Sequence, residues 1–249
     1  MCSRAHAHAG TVTVDQRLTS QQLLNEPGWL VQQSIVMAAA SAVLGPLLDG
    51  QHSTHAVLHY HHPTHISLSP LLELETTWWT AVLFAIAGVI LGVSHPLLDA
   101  AAGPEGAPRS GTAPSWPVVL SCITVFVLQY AASGSLEAPL RGVTLGPIEI
   151  PALDTLLAAV AAATWAAFDG SRQGLALAAL TAIAGPAVEA CLINGLHLYH
   201  YEHPSFLGIP SWIAFVYACG GPAVGGLGRR VSTELLLRRQ PGEGEAKVE

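Results

Sequence analysis

Apolar residues in this chain come in long blocks separated by short polar joints, and the blocks are too long for strands. Six runs stand out: Trp29–Leu48, Thr77–Leu98, Pro117–Ser133, Pro151–Phe168, Gly174–Asn194 and Ile209–Leu227. A helix needs ~20 predominantly apolar residues to cross ~30 Å of hydrocarbon, and each run is close to that length. Gln32 and Gln33 make the first run the most polar. The short joints leave no room for a separate soluble domain. The pattern therefore predicts an all-α membrane protein, a six-transmembrane-helix bundle over 29–228, preceded by a polar segment 1–28 and followed by a polar tail 229–249. The segment 1–28 does not read as a signal peptide, because Asp15 and Glu26 interrupt it and no apolar centre is present.

The sharpest joint is Phe168-Asp169-Gly170-Ser171-Arg172-Gln173-Gly174. A carboxylate and a guanidinium three residues apart mark where the chain surfaces and turns back, which makes the fourth and fifth runs an antiparallel pair. Asp169 and Ser171 can cap the next helix while Arg172 balances the charge. The same three residues stand where a second protein could reach them. With six spans both termini share one side. Arg4, Arg17, Arg109, Arg172, Arg229, Arg230, Arg238, Arg239 and Lys247 fall on that side, and only Arg141 falls opposite. The positive-inside rule places both termini in the cytosol.

Composition agrees. Hydrophobic residues make up 51% and charged residues 11%, with mean hydropathy +0.44, where soluble domains carry about 25% charged residues. The net charge of -7 is not gathered in any stripe, so nucleic acid is not an expected partner. Cys122, Cys191 and Cys219 lie within apolar runs and read as small apolar groups. No nucleophile-elbow, phosphate-loop or HExxH motif occurs, so the chain reads as a non-enzyme without a cofactor.

Some residues still invite a chemical reading. His52, His55, His59, His61, His62 and His65 share one joint, and His197, His200 and His203 another on the same side. Helical spacing puts His55 with His59, and His197 with His200, on one face. Imidazoles so placed could ligate a metal, as in a membrane desaturase or hydroxylase; the alternative is a solvated, compositionally biased loop. Glu189 lies deep in the fifth run, where an ionised group costs roughly 2.5–3.5 kcal/mol to insert. It either hydrogen-bonds a ligand hydroxyl or bridges helices, for instance to a carbonyl freed by Pro186. Asp154 sits in the first turn of the fourth run, where the helix dipole favours a carboxylate. Gly88/Gly92 and Gly221/Gly225 have small-residue spacing for close helix contact, and Gly220-Gly221-Pro222 should break the sixth run locally. Trp78, Trp79, Trp116 and Trp212 fall near run ends, where interfacial aromatic belts sit.

The stretch Trp165–Gly174 resembles the end of the fourth span in the Insig family of endoplasmic reticulum membrane proteins. The likeness continues in order: Trp78-Trp79; Pro96, Asp99 and Gly103; Val125-Phe126-Val127 with Ala131-Ala132-Ser133; Asn194-Gly195 with Tyr199; and Ser211-Trp212, Phe215, Gly220-Gly221, Gly225 and Gly228-Arg229. The resemblance implies a non-catalytic, multi-pass regulator of sterol and lipid synthesis. It would hold an oxysterol, or a diacylglycerol-type lipid as in prokaryotic relatives, within its helices. It would bind Scap-like or HMG-CoA-reductase-like membrane proteins. On this view Phe126, Asp154, Trp165 and Glu189 are lipid-binding candidates, and Asp169, Ser171 and Arg172 are partner-binding candidates. A family glutamine tied to sterol binding falls on Ala152, and the family's first arginine in the turn falls on Gly170. The competing readings are a metal-dependent membrane oxidase built on His55, His59, His197 and His200, and a ligand-free membrane scaffold.

Overall fold

A computed structural model describes residues 20–69, 72–102 and 113–239. Arg4, Arg17, Gly103, Arg109 and Lys247 lie outside the described residues. A short α1 (Ser20–Asn25) precedes six long helices: α2 (Trp29–Thr54), α3 (Trp78–Ala102), α4 (Trp116–Leu140), α5 (Ala152–Phe168), α6 (Arg172–Asn194) and α7 (Ile213–Leu237). Each long helix overlaps one apolar run, though α7 starts and ends later than the Ile209–Leu227 run. Four of them, α2, α3, α4 and α6, are long and apolar enough to cross a membrane. α5 is apolar but shorter, at 17 residues.

α7 is central, packing against α2, α3, α4, α5 and α6. Its glycines explain how. A Cβ on Gly228 would stand 2.5 Å from the carbonyl oxygen of Gly92, so only glycine lets α7 approach the α3 backbone there. Gly221 and Gly225 likewise face Ala178 and the His95 ring. Gly88 and Gly92 meet Ser41 and Met37 on α2. Both small-residue pairs thus serve packing inside the bundle. The expected break at Pro222 does not occur: α7 runs unbroken through it, with Pro222 fully buried. A proline in a helix enclosed by other helices has its freed backbone held in place by them.

The helices alternate in direction, so chain ends meet at one end of the bundle. There Arg239 Nη2 donates to Gln32 Oε1 at 2.8 Å, and Trp29 Nε1 to Ser232 Oγ at 3.0 Å. At the other end the all-α expectation needs correction. The connections form three two-stranded antiparallel ribbons: β1 (Leu58–Tyr60) with β6 (Tyr199–Tyr201), β2 (Thr64–Ser69) with β3 (Leu72–Thr76), and β4 (Thr144–Leu145) with β5 (Ile150–Pro151). The reason is a period of two. Leu58, Tyr60, Tyr199 and Tyr201 point into the core while His59 and His200, paired directly across, point out. His59 and His200 therefore lie on strands, and the helical pairing expected for His55/His59 and His197/His200 does not form. Trp212 is buried in the core beneath this ribbon, whereas Trp78 is 79% exposed.

Candidate functional site

Polar groups interrupt the apolar interior at several places among the described residues, and three of these places form candidate sites. The first gathers at the end of the bundle where the chain ends meet. Gly170, at φ +68°, turns the chain between α5 and α6. Ser171 caps α6 by accepting from Gly174 N at 3.0 Å. Asp169 accepts from the Ser171 backbone N at 3.0 Å and from its hydroxyl, while Trp165 Nε1 donates to the Ser171 carbonyl at 3.0 Å. The turn is tied to the rest of the bundle by Arg229 of α7. Its Nη1 donates to Asp169 Oδ2 at 2.9 Å, and its Nε and Nη2 donate to Asp99 of α3 at 2.6 and 3.0 Å. Burial alone would push the Asp169 carboxyl upward, but Arg229 and Ser171 outweigh it and hold Asp169 below its ordinary value. The expectation of an accessible Asp169 and Ser171 thus meets a different geometry: both are buried, and only Arg172 of the three is exposed. The cation balancing Asp169 is Arg229.

The second grouping lies under the β1–β6 ribbon. Glu189 of α6 accepts from the Tyr201 hydroxyl at 2.8 Å and from the Tyr217 hydroxyl at 2.7 Å. Asp49 of α2 accepts from the Tyr60 hydroxyl. Burial, and then Glu189, push the Tyr199 and Tyr201 hydroxyls above the ordinary tyrosine range, so they remain protonated donors. Glu189 is satisfied by tyrosines on a strand and on α7, not by a carbonyl near Pro186. His52 Nε2 meets Ser133 Oγ at 2.9 Å, and its ring stacks on Tyr130 at 4.9 Å.

The third is a groove of about 240 Å³ between α4 and α5, lined by Val125, Leu128, Gln129, Ala132, Leu156, Leu157 and Val160. Leu128 and Leu156 are 62% and 41% exposed, so the groove opens sideways out of the bundle. Gln129 is its one polar side chain. The Gln129 Nε2 donates to the carbonyls of Leu157 and Phe215, each at 3.1 Å, tying α4 to α5 and α7. Its Oε1 is buried without a hydrogen-bond partner. An acceptor left so costs about 1–3 kcal/mol.

The lipid-binding candidates read from sequence are not brought together. Phe126 turns toward α7, against Gly220 and edge-on to Tyr130 at 5.4 Å. Asp154 is half-buried in the first turn of α5. Trp165 closes the turn at the other end of that helix, and Glu189 sits under the ribbon. The sequence reading missed Gln129. Its signal was there, since it is the only carboxamide in the α4 run. Among the described residues no three His, Cys, Asp or Glu side chains converge as they stand on a common metal position.

A family model described as insulin-induced protein (INSIG) matches residues 32–232. The insulin-induced gene 1 protein of Danio rerio is 31% identical over 180 residues, covering 69% of this chain and 65% of that protein. That of Bos taurus is 28% identical over 205 residues, covering 82% and 67% respectively. The chain thus spans about two thirds of the length of these relatives. The crystal structure of MvINS, a mycobacterial Insig homolog from Mycobacterium vanbaalenii, matches the fold with a TM-score of 0.61 at 23% identity, covering 85% of this chain and 97% of that one.

Proposed function

The chain belongs to the insulin-induced protein family, and from that premise we propose that it is a six-span endoplasmic reticulum regulator whose α4–α5 groove holds the hydroxyl end of a sterol or diacylglycerol-type lipid. The carrying observation is the unpartnered Oε1 of Gln129, the one polar residue lining an otherwise apolar groove. Apolar walls take up a hydrocarbon skeleton, and one fixed acceptor sets the orientation of a single hydroxyl. At about 240 Å³ the groove is smaller than the ~300–1,000 Å³ pockets that enclose whole ligands. Only the hydroxyl end enters, and the remainder lies along exposed Leu128 and Leu156. Gln129 supplies from α4 a carboxamide where Ala152 offers none.

The regulator acts by binding other membrane proteins, of the Scap-like or HMG-CoA-reductase-like kind, at the α5–α6 turn. Arg172 provides the accessible charge, and the Asp169–Arg229–Asp99 ion pairs hold the turn in shape. Purified protein should bind a radiolabelled hydroxysterol or diacylglycerol saturably. Gln129→Leu removes the acceptor together with the two bonds from Nε2; with its melting temperature measured alongside to show that the bundle is kept, it should weaken binding by about tenfold, the worth of one buried hydrogen bond. Equal binding by this variant and the wild type overturns the proposal.

A further inference from the structure

The outer face of the β1–β6 ribbon carries a group of imidazoles that the lipid-binding reading does not use. His59 and His200 are cross-strand partners. His61 follows two residues after His59, hence on the same face, and its backbone N is still bonded to Leu198 O at 3.1 Å, continuing the ladder. The ring centres of His59 and His200 are 5.4 Å apart, and those of His61 and His200 are 5.6 Å apart. Two imidazoles on one tetrahedral metal, with metal–nitrogen bonds of about 2.0–2.1 Å, have ring centres about 5 Å apart. The spacing therefore already matches that of shared ligands, with His200 in the middle.

We propose that His59, His61 and His200 bind a divalent transition metal, zinc or copper, on the outer face of the ribbon. Two further contacts fit. His61 Nδ1 donates to the backbone carbonyl of His197, which fixes the tautomer and leaves Nε2 free as a ligand, the usual outer-sphere support for a metal-bound histidine. The Glu202 carboxylate lies 3.7 Å from His59 Nε2 and supplies a fourth donor. The rings are tilted by 31° and 40° and do not yet aim their nitrogens at one point. The His59 side chain is 38% exposed, and His200 is exposed too, so both have room to turn toward the Nε2 of His61, whose ring stays held by His197. Three imidazoles with a carboxylate suit zinc and copper rather than magnesium or calcium. The consequence is mechanical: the metal staples the α2–α3 connection to the α6–α7 connection, above Tyr60, Tyr199 and Tyr201.

The test uses full-length protein purified in mild detergent without a polyhistidine tag and stripped with chelator. Titration with zinc should show one site per chain. His59→Gln/His200→Gln should weaken it by about tenfold or more, while His62→Gln/His65→Gln, which alters neighbouring loop histidines, should leave it unchanged. Unaltered melting of the metal-free double variant separates lost ligands from lost fold. Copper loaded into the wild type should show nitrogen superhyperfine splitting in its electron paramagnetic resonance spectrum, a reading that needs no variant. Absence of one-per-chain binding, equal weakening by both double variants, or oxygen-only copper coordination each overturns the proposal.

Discussion

Arg229 decides more about this molecule than any other single residue. It is 5% exposed and pairs at once with Asp99 of α3 and Asp169 of the α5–α6 turn. Removing one member of a buried ion pair leaves an uncompensated charge and costs about 3–5 kcal/mol. Arg229→Met should therefore lower the melting temperature in detergent well below that of Arg172→Met, whose parent side chain is exposed; equal melting would contradict the assigned roles. Acid should act through Asp169. Its folded value is lowered, so its contribution is complete above the ordinary carboxylate value of about 3.9 and is lost as pH falls through the lower folded value. Below about pH 4 the wild type should lose stability more steeply than Asp169→Asn. The sequence marked Asp169 as a turn residue. Its burial was not legible, because the covering cation stands 60 positions later and reaches it only through the fold. Gln129 was equally hidden: one amide in an apolar run has meaning only once its Nε2 is seen bonded to two helices and its Oε1 left without a partner.

At the scale of elements, each of the six apolar runs falls on a long helix, and four of those helices are long and apolar enough to cross a membrane, where a segment must satisfy its own backbone. Joints were harder to read. The histidines suggested helical faces, yet alternation of Leu58, Tyr60, Tyr199 and Tyr201 with His59 and His200 makes a ribbon. Nothing local told period two from chance over three residues. α7 shows why its own run is rich in glycine. A helix enclosed by α2, α3, α4, α5 and α6 needs small residues more than apolar ones. Two positions, one residue apart on either side of Leu227, test this. Gly228→Ala puts a Cβ against the Gly92 backbone, whereas a Cβ on Gly226 meets nothing within 4 Å. Gly228→Ala should lower the melting temperature. Gly226→Ala should be neutral or raise stability by up to about 1 kcal/mol through helix propensity. The same loss in both would mean that close packing of α7 on α3 is not what the glycines provide.

For the whole molecule, an even number of long helices puts both described chain ends at one end of the bundle, where Arg172, Arg229, Arg230, Arg238 and Arg239 also gather. Arg141 alone among the described arginines stands at the ribbon end. That asymmetry gives an orientation to test. In sealed microsomes, on a background with the native cysteines replaced, a membrane-impermeant maleimide should label a cysteine placed at Arg238. It should label one at Glu149 only after detergent is added, and the reverse pattern would invert the topology. The proposed lipid site is the α4–α5 groove, whose mouth at Leu128 and Leu156 is exposed, and the proposed docking contact is Arg172 on the turn held by Arg229. Native mass spectrometry of protein purified in mild detergent tests this most directly. One hydroxyl-bearing sterol or diacylglycerol should remain on each wild-type chain and be absent from Gln129→Leu. A wild-type chain that carries no such lipid, or a variant that keeps it in equal measure, would contradict the assignment of the α4–α5 groove.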